Sequence, residues 1–393
     1  MVSCVHQLRY INLFREHSDS KLNNNKTRYY NDGARLRIFI VSYYFIPKQS
    51  NINISEMKKG VTLKDIAEKL HMSISAVCKS LNDDVSISSM TKERVKRLAA
   101  EWNYIPNEAA RHFKLNKTFT FGLIIPRMLD EFYILAINGA EKVAAMEKYN
   151  VIISQSHEDP ATEEKIVDLM KGNRVDGVIV AITKKTQDMS PFQKLQNIGI
   201  PVVFFARPPK DDSFDYVTAD NEGGAFKATE FLIKKGHKRI GHLMGPESLS
   251  VSYIRLQGYK RALQKNKIRF DPELVKVVDL TEESTILAMS QFMKMEAPPT
   301  AIFTFKNYIS LDAIEYLKKK FPAKLKKIDF AGFGNLPLFR YLDHKPLASI
   351  EENSYQIGFE AAQLLFRNIN LQESEEKKIS HHIKVPCKLV IHD

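Results

Sequence analysis

The sequence predicts a small all-α unit followed by a larger α/β body. Three observations carry that expectation. Apolar residues recur at helical spacing in three short stretches between residues 61 and 105. From residue 119 onward, short continuous apolar runs alternate with helical patterns. The net charge of +12 is also uneven: residues 57–117 hold 12 basic and 7 acidic side chains, whereas residues 118–393 hold 38 and 35.

A length of 393 residues fits two or three domains at roughly 100–200 residues each. With 44% apolar and 26% charged residues, the composition is that of a globular chain and excludes wholesale disorder. The longest apolar run, Ile38–Ile46, has nine residues and falls well short of the roughly 20 that a membrane helix requires. No membrane partner is expected. Cys4, Cys78 and Cys387 are too widely spaced for a disulfide framework or a zinc cluster, which fits a reducing, cytoplasmic compartment. No phosphate-binding loop, nucleophile elbow or HExxH motif occurs, so no cofactor, metal or enzymatic activity is expected.

Residues 1–56 show no sustained period. Their apolar run starts too late, and ends in Ile46-Pro47-Lys48-Gln49, for a secretory signal. We expect a disordered leader or an upstream misread, with Met57 as the translation start.

Residues 57–105 read as a three-helix unit. Thr62-Leu63-Lys64-Asp65 has the form of a helix cap with an acid three residues on, and Leu63, Ile66, Ala67 and Leu70 follow at helical spacing. Ser73 is a second cap, before Ile74, Val77 and Leu81. Asn82-Asp83-Asp84 ends that helix, and Cys78 within it is expected to be a small buried apolar residue. Thr91 is read as the cap of a third helix with the stripe Val95, Leu98, Ala99, Trp102. Two short helices with a tight turn, plus a third, describe a helix-turn-helix or, on pattern alone, a three-helix bundle for protein contact. The concentration of basic residues across 57–117 favours nucleic acid. Tyr104-Ile105-Pro106-Asn107 stops the unit, since Pro disfavours helix at the residue before it. Residues 106–118 are then a short hinge helix, capped by Asn107, and a polar linker.

These blocks, in order and without a gap, resemble the DNA-binding headpiece of the lactose-repressor (LacI/GalR) family of bacterial transcription regulators: Val61–Ala67, Ser73–Asn82, Thr91–Val95, Tyr104–Asn107 and Ala109–Arg111. The resemblance implies that Ile74, Ser75 and Lys79 on the second helix reach base edges in the major groove. It implies that Thr62, Ser73, Asn82, Ser88, Thr91, Tyr104 and Asn107 touch the DNA backbone, and that Phe113 stands where the family wedges a Leu into the minor groove. Lys79 replaces a usual Arg and loses the rigid fork that Arg presents to guanine.

Residues 119–393 alternate strand and helix patterns through Asp329–Phe333, implying parallel sheets covered on both faces, with ligands beyond the carboxyl ends of the strands. The resemblance extends here through Phe121–Pro126, Arg174–Val180, Gly199–Val203, Asp220–Ala225, Gly236–Ile240, Arg255–Tyr259 and Pro299–Phe303. It implies a two-lobed, periplasmic-binding-protein-like α/β effector domain with a small-molecule site in its cleft. The family pattern places Phe132, Tyr133, Arg207, Asp220, Arg255, Lys306 and Asn307 at or near that site. Asp220 is equally suited to capping a helix. Gly334 and Ala206 stand where many members carry an acid, which removes acceptors for sugar hydroxyls. His237 and His242 lie around a strand without evident partners.

The expected function is sequence-specific binding of double-stranded operator DNA, as a repressor, controlled by a sugar-like effector. With no heptad-repeat tail of several turns after the body, a homodimer is expected rather than a coiled-coil tetramer. A solute-binding protein of a transport system is the alternative, and an α/β enzyme a weaker one.

Overall fold

The computed structural model describes residues 61–105, 117–209, 213–371 and 380–392. The leader, the proposed start at Met57, and most of the 106–118 hinge, with Asn107 and Phe113, lie outside the described residues. Contacts divide the chain into two units, meeting at Ile105 and Pro106.

The first unit has three helices: α1 (Leu63–Leu70), α2 (Ile74–Leu81) and α3 (Ser89–Glu101). Thr62 caps α1 in a reciprocal box: the Asp65 amide donates to its hydroxyl, and its own amide donates to Asp65 Oδ2 at 2.7 Å. Ile66, Ala67, Leu70, Val77, Val95 and Ala99 form the core, with Leu63, Leu81, Trp102 and Tyr104 around it. Two expectations need correction. The cap of α3 is Ser88, whose Oγ accepts the Thr91 amide. Thr91 sits one turn inside, and its hydroxyl lies 2.9 Å from Ser88 Oγ. Starting the helix earlier leaves both hydroxyls paired. Cys78 is exposed, because Val77 and Ser80 already supply the buried side of so short a helix.

The second unit has two six-stranded sheets. The first lobe contains β1 (Thr120–Ile125), α4 (Glu131–Glu147), β2 (Asn150–Gln155), α5 (Pro160–Gly172), β3 (Gly177–Val180), α6 (Ser190–Asn197), β4 (Val202–Phe205) and β5 (Asp215–Ala219). The second contains α7 (Asn221–Lys234), β6 (Ile240–Met244), α8 (Ser250–Lys265), β7 (Val275–Val277), α9 (Glu282–Lys294), β8 (Ala301–Thr304), α10 (Asn307–Lys320), α11 (Pro322–Leu325), β9 (Asp329–Phe333) and β10 (Ala348–Glu351). The chain then returns to the first lobe as α12 (Ser354–Leu371) and β11 (His382–Val385), and crosses again to end as β12 (Lys388–Ile391).

The strand orders are β11-β5-β4-β3-β1-β2 and β12-β10-β9-β8-β6-β7. Every pairing is parallel except β10 with β12. That edge departs from the all-parallel expectation. Pro386 and Cys387 carry the chain from β11 in the first sheet to β12 in the second, where β12 runs against β10 at the sheet edge.

Three crossings therefore join the lobes, around residues 220, 352–353 and 386–387. They are tied to one another: the Asp220 amide donates to Val385 O at 2.8 Å, and Asn353 Nδ2 to Pro386 O at 2.5 Å. Within the first lobe α4 and α12 meet backbone to backbone. A Cβ on Gly358 would stand 1.8 Å from Ala136 O, so no larger residue fits this crossing.

The two histidines resolve differently. His242 is fully buried on β6, donates through Nδ1–H to Phe303 O at 3.0 Å, and stacks on Phe303 and Tyr259. Burial pushes its pKa down to about 4, so it is a neutral core residue. His237 has partners after all, Asp329 Oδ2 at 2.9 Å and Thr300 Oγ1 at 3.0 Å.

Candidate functional site

On the first unit, Ser73 Oγ caps α2 by accepting the Ala76 amide at 3.1 Å. Val77 and Ser80 face inward, which leaves Ile74, Ser75, Cys78 and Lys79 on the outer face. Ile74 is 49% exposed, an apolar side chain held out at the start of a helix. Lys79 Nζ donates to Ser86 Oγ at a long 3.4 Å. The residues expected at the DNA backbone are mostly helix-end groups. Thr62, Ser73 and Ser88 cap the three N-termini, and Asn82 closes α2 by donating to Cys78 O at 2.9 Å. N-termini carry free amides and a partial positive charge, which suits them to phosphate. Tyr104 is half-buried against the core.

On the second unit, the carboxyl ends of β1, β4, β5, β8 and β10 converge on a cleft between the lobes of about 530 Å³. Phe132, Tyr133, Arg207, Arg255 and Lys306 line it, together with Asp130, Asn221, Leu280, Phe305 and Glu352, which sequence reasoning missed. A smaller chamber of about 390 Å³ lies behind the Lys306–Asp130 pair and shares Phe132 and Glu352 with the first. Asn307 lines only this chamber. It is fully buried and committed to bracing β8 against β9 and β10, donating to Gly334 O and Ser349 Oγ at 2.7 Å each. Asp220 lies outside both chambers: Oδ1 accepts the Gly223 amide at 3.0 Å and caps α7, so the geometry gives it the capping role.

Each cation in the cleft is matched by a carboxylate. Arg255, 6% exposed, donates to Glu352 Oε1 and Asn221 Oδ1 at 2.8 Å each and to Phe305 O, and lies 3.5 Å from the centre of the Phe333 ring. Asn221 and Glu352 belong to two of the three crossings, so one guanidinium pins both beneath the cleft. Burial pushes the Glu352 pKa up, while Arg255 and Lys306 pull it back. Arg207 forks onto Glu158 at 2.9 and 3.0 Å. Burial opposes the Glu158 charge, but Arg207 and the Lys184 amide outweigh it and hold its pKa below the ordinary value. Lys306 Nζ bonds Asp130 at the N-terminus of α4, joining one lobe to the other.

The backbone is strained around this cleft. Ala206 (φ 60°), Leu280 (φ 72°) and Glu158 (φ 60°) are all left-handed without being glycine. At Ala206 the Arg207 amide closes back on Phe205 O at 2.5 Å, a tight turn that aims Arg207 into the cleft.

A three-helix unit with an exposed second-helix face, joined to a two-lobed domain with an interlobe cleft, defines the class of ligand-responsive DNA-binding regulators. Residues 62–107 match the bacterial regulatory proteins of the lacI family, and residues 118–393 match the periplasmic binding proteins and sugar binding domain of LacI family. The chain belongs to the LacI family. It is 31% identical over 310 residues to the HTH-type transcriptional repressor CytR of Escherichia coli (strain K12), covering 79% of this chain and 90% of the relative. It is 29% identical to catabolite control protein A of Priestia megaterium, covering 83% and 98%. The fold is that of the lac repressor dimer bound to operator and the anti-inducer ONPF, with a TM-score of 0.70, 21% identity, and coverage of 84% of this chain and 98% of that one.

Proposed function

We propose that this protein is a transcriptional repressor that binds operator DNA through the outer face of α2 and is controlled by a small molecule held in the interlobe cleft. The observation that carries this reading is that the exposed face of Ile74, Ser75 and Lys79 and the lined cleft belong to one chain of this family. Ile74, Ser75 and Lys79 read bases; Thr62, Ser73, Asn82, Ser88, Thr91, Tyr104 and Asn107 meet the backbone, and Phe113 the minor groove. In the cleft, Phe132, Tyr133 and Phe305 offer apolar faces, and Arg207, Arg255, Lys306 and their acid partners offer polar ones. A sugar-like effector fits this mixture of ring faces and hydrogen-bonding groups. The related transcriptional regulator CelR is known in complex with cellobiose, at 24% identity and a TM-score of 0.62. Operator half-sites call for a homodimer, and a DNA-binding role places the protein in the cytoplasm.

A gel shift against the DNA upstream of its own operon tests this. Sequence-specific retardation that survives competitor DNA is expected, with Lys79→Ala weakening it by roughly 5- to 150-fold, or about 1–3 kcal/mol. Retardation that is salt-sensitive but indifferent to sequence would count against the reading.

A further inference from the structure

We propose that residues 181–186 form a strap that ties the two lobes together and is loaded through Arg207, so that whatever engages Arg207 in the cleft acts on the tie between the lobes. The second clause rests on the effector-cleft reading; the strap itself does not.

The strap leaves the carboxyl end of β3 and is held from below by two acids. Glu163, 2% exposed on α5, accepts the Thr183 amide at 2.9 Å and the Thr186 hydroxyl at 2.6 Å. Glu158 accepts the Lys184 amide at 2.7 Å. The other bonds of Glu158 go to Arg207, and Arg207 itself donates to Ile182 O at 3.0 Å. One cleft-lining guanidinium thus grips both the strap and the acid beneath it.

The tip of the strap lands on the other lobe. Lys184 Nζ donates to Asp279 O at 2.6 Å, and Ser248 Oγ donates to Lys184 O. A neighbouring bond, Ser250 Oγ to Pro208 O at 3.0 Å, joins the residue after Arg207 to the same lobe. The landing point is next to Leu280, whose side chain lines the cleft and whose backbone is left-handed. Ala206 and Glu158, at the near end, are left-handed too. Strain of this kind persists only where surrounding contacts over-determine it. Here it marks both ends of one load path: cleft, Arg207, strap, Asp279, Leu280, cleft. Charged hydrogen bonds make most of the path, and these are the stronger and more directional kind.

The test is residue-resolved hydrogen exchange on the full chain, with neither ligand nor DNA present. Lys184→Ala removes only the half-exposed tip. It is expected to speed exchange about tenfold at residues 279–281 on the far lobe, the effect of losing one charged hydrogen bond. Arg207→Ala is expected to speed exchange at the Thr183 and Lys184 amides by at least about tenfold, although neither amide bonds to Arg207. Should that variant fail to fold, Arg207→Lys keeps the charge and cannot fork onto Glu158 while holding Ile182 O, and it should give a smaller rise at the same two amides. Unchanged exchange on the far lobe in Lys184→Ala, or unchanged strap amides in the Arg207 variants, overturns the proposal. Because the readout involves no DNA and no effector, a failed gel shift leaves these results standing, and the two readings fail separately.

Discussion

The headpiece and the effector lobes keep their charges in opposite places. Ser80 is the one buried polar residue among the described residues of the headpiece, and the core is six apolar side chains drawn from 34 consecutive positions, Ile66 to Ala99. The lobes bury Arg255, Glu352, Glu163 and Asp215. Moving a charge out of water costs several kcal/mol unless it is paired, so buried pairs contribute little net stability and a good deal of fixed geometry. The contrast follows from the partners. Phosphates come to the headpiece from outside, and its hydroxyls and lysine stay in water until they meet. A small ligand must be enclosed, and the groups that meet it have to be positioned in advance.

The largest effect is expected where that contrast is sharpest. Glu352→Ala strands Arg255 without its carboxylate and should destabilise the lobes by about 3–5 kcal/mol, read by calorimetry. A loss no larger than that of an exposed substitution would break the comparison. In the headpiece the equivalent blow is apolar: Ile66→Ala should cost about 2–5 kcal/mol. So small a unit has little stability to lose. Loss of headpiece structure and of DNA retardation, with the main calorimetric transition unmoved, is the expected outcome.

Glu163 sharpens the comparison through pH. Burial pushes its pKa up to about 7 from its ordinary 4.5, against the pull of the Thr186 and Thr183 bonds, with Glu158 adding to the rise and Arg207 opposing it. Between those values the folded lobes hold a proton that the unfolded chain has released. Their stability should therefore be greatest below pH 4.5 on this account and fall by about 3 kcal/mol as pH rises through 7. Glu163→Gln should flatten that fall in pH-dependent melting; a slope identical to the wild type would place the titration elsewhere.

The same contrast governs what could be read from the sequence. The headpiece is built from contacts a few residues apart, so spacing and capping residues located all three helices, and only the start of α3 slipped, from Ser88 to Thr91. The strands of the lobes up to β9 were legible as apolar runs, apart from β5, where Asp215 and Thr218 interrupt the apolar pattern. The final segment was not: α12 serves the first lobe after a long excursion through the second, and no local pattern encodes a return. The cleft divides the same way. Phe132, Tyr133, Arg207, Arg255 and Lys306, which the family resemblance singled out, line the cleft. Glu158, Asn221 and Glu352 meet their arginines only through partners 49, 34 and 97 positions away. Asp130, by contrast, precedes a helix and could have been recognised as its cap.

The smallest effect concerns Thr62, which holds two roles at one atom. Its hydroxyl caps α1, and the proposed operator contact uses the same group. Thr62→Ala should cost the headpiece about 1 kcal/mol through the lost cap and also weaken DNA binding, so that variant alone does not separate the roles. Thr62→Asp does. Aspartate is at least as good a cap and an acid suits a helix N-terminus, which offsets the lost bond from the Thr62 hydroxyl to Asp65 Oδ2 and the repulsion between the two carboxylates, so headpiece stability should fall no further than in the alanine variant. A carboxylate facing phosphate, however, should weaken retardation more than the alanine does, and more at low salt than at high. If Thr62→Asp binds as well as the wild type across the salt series, Thr62 is a cap alone, and the helix ends of the headpiece do not all double as phosphate contacts.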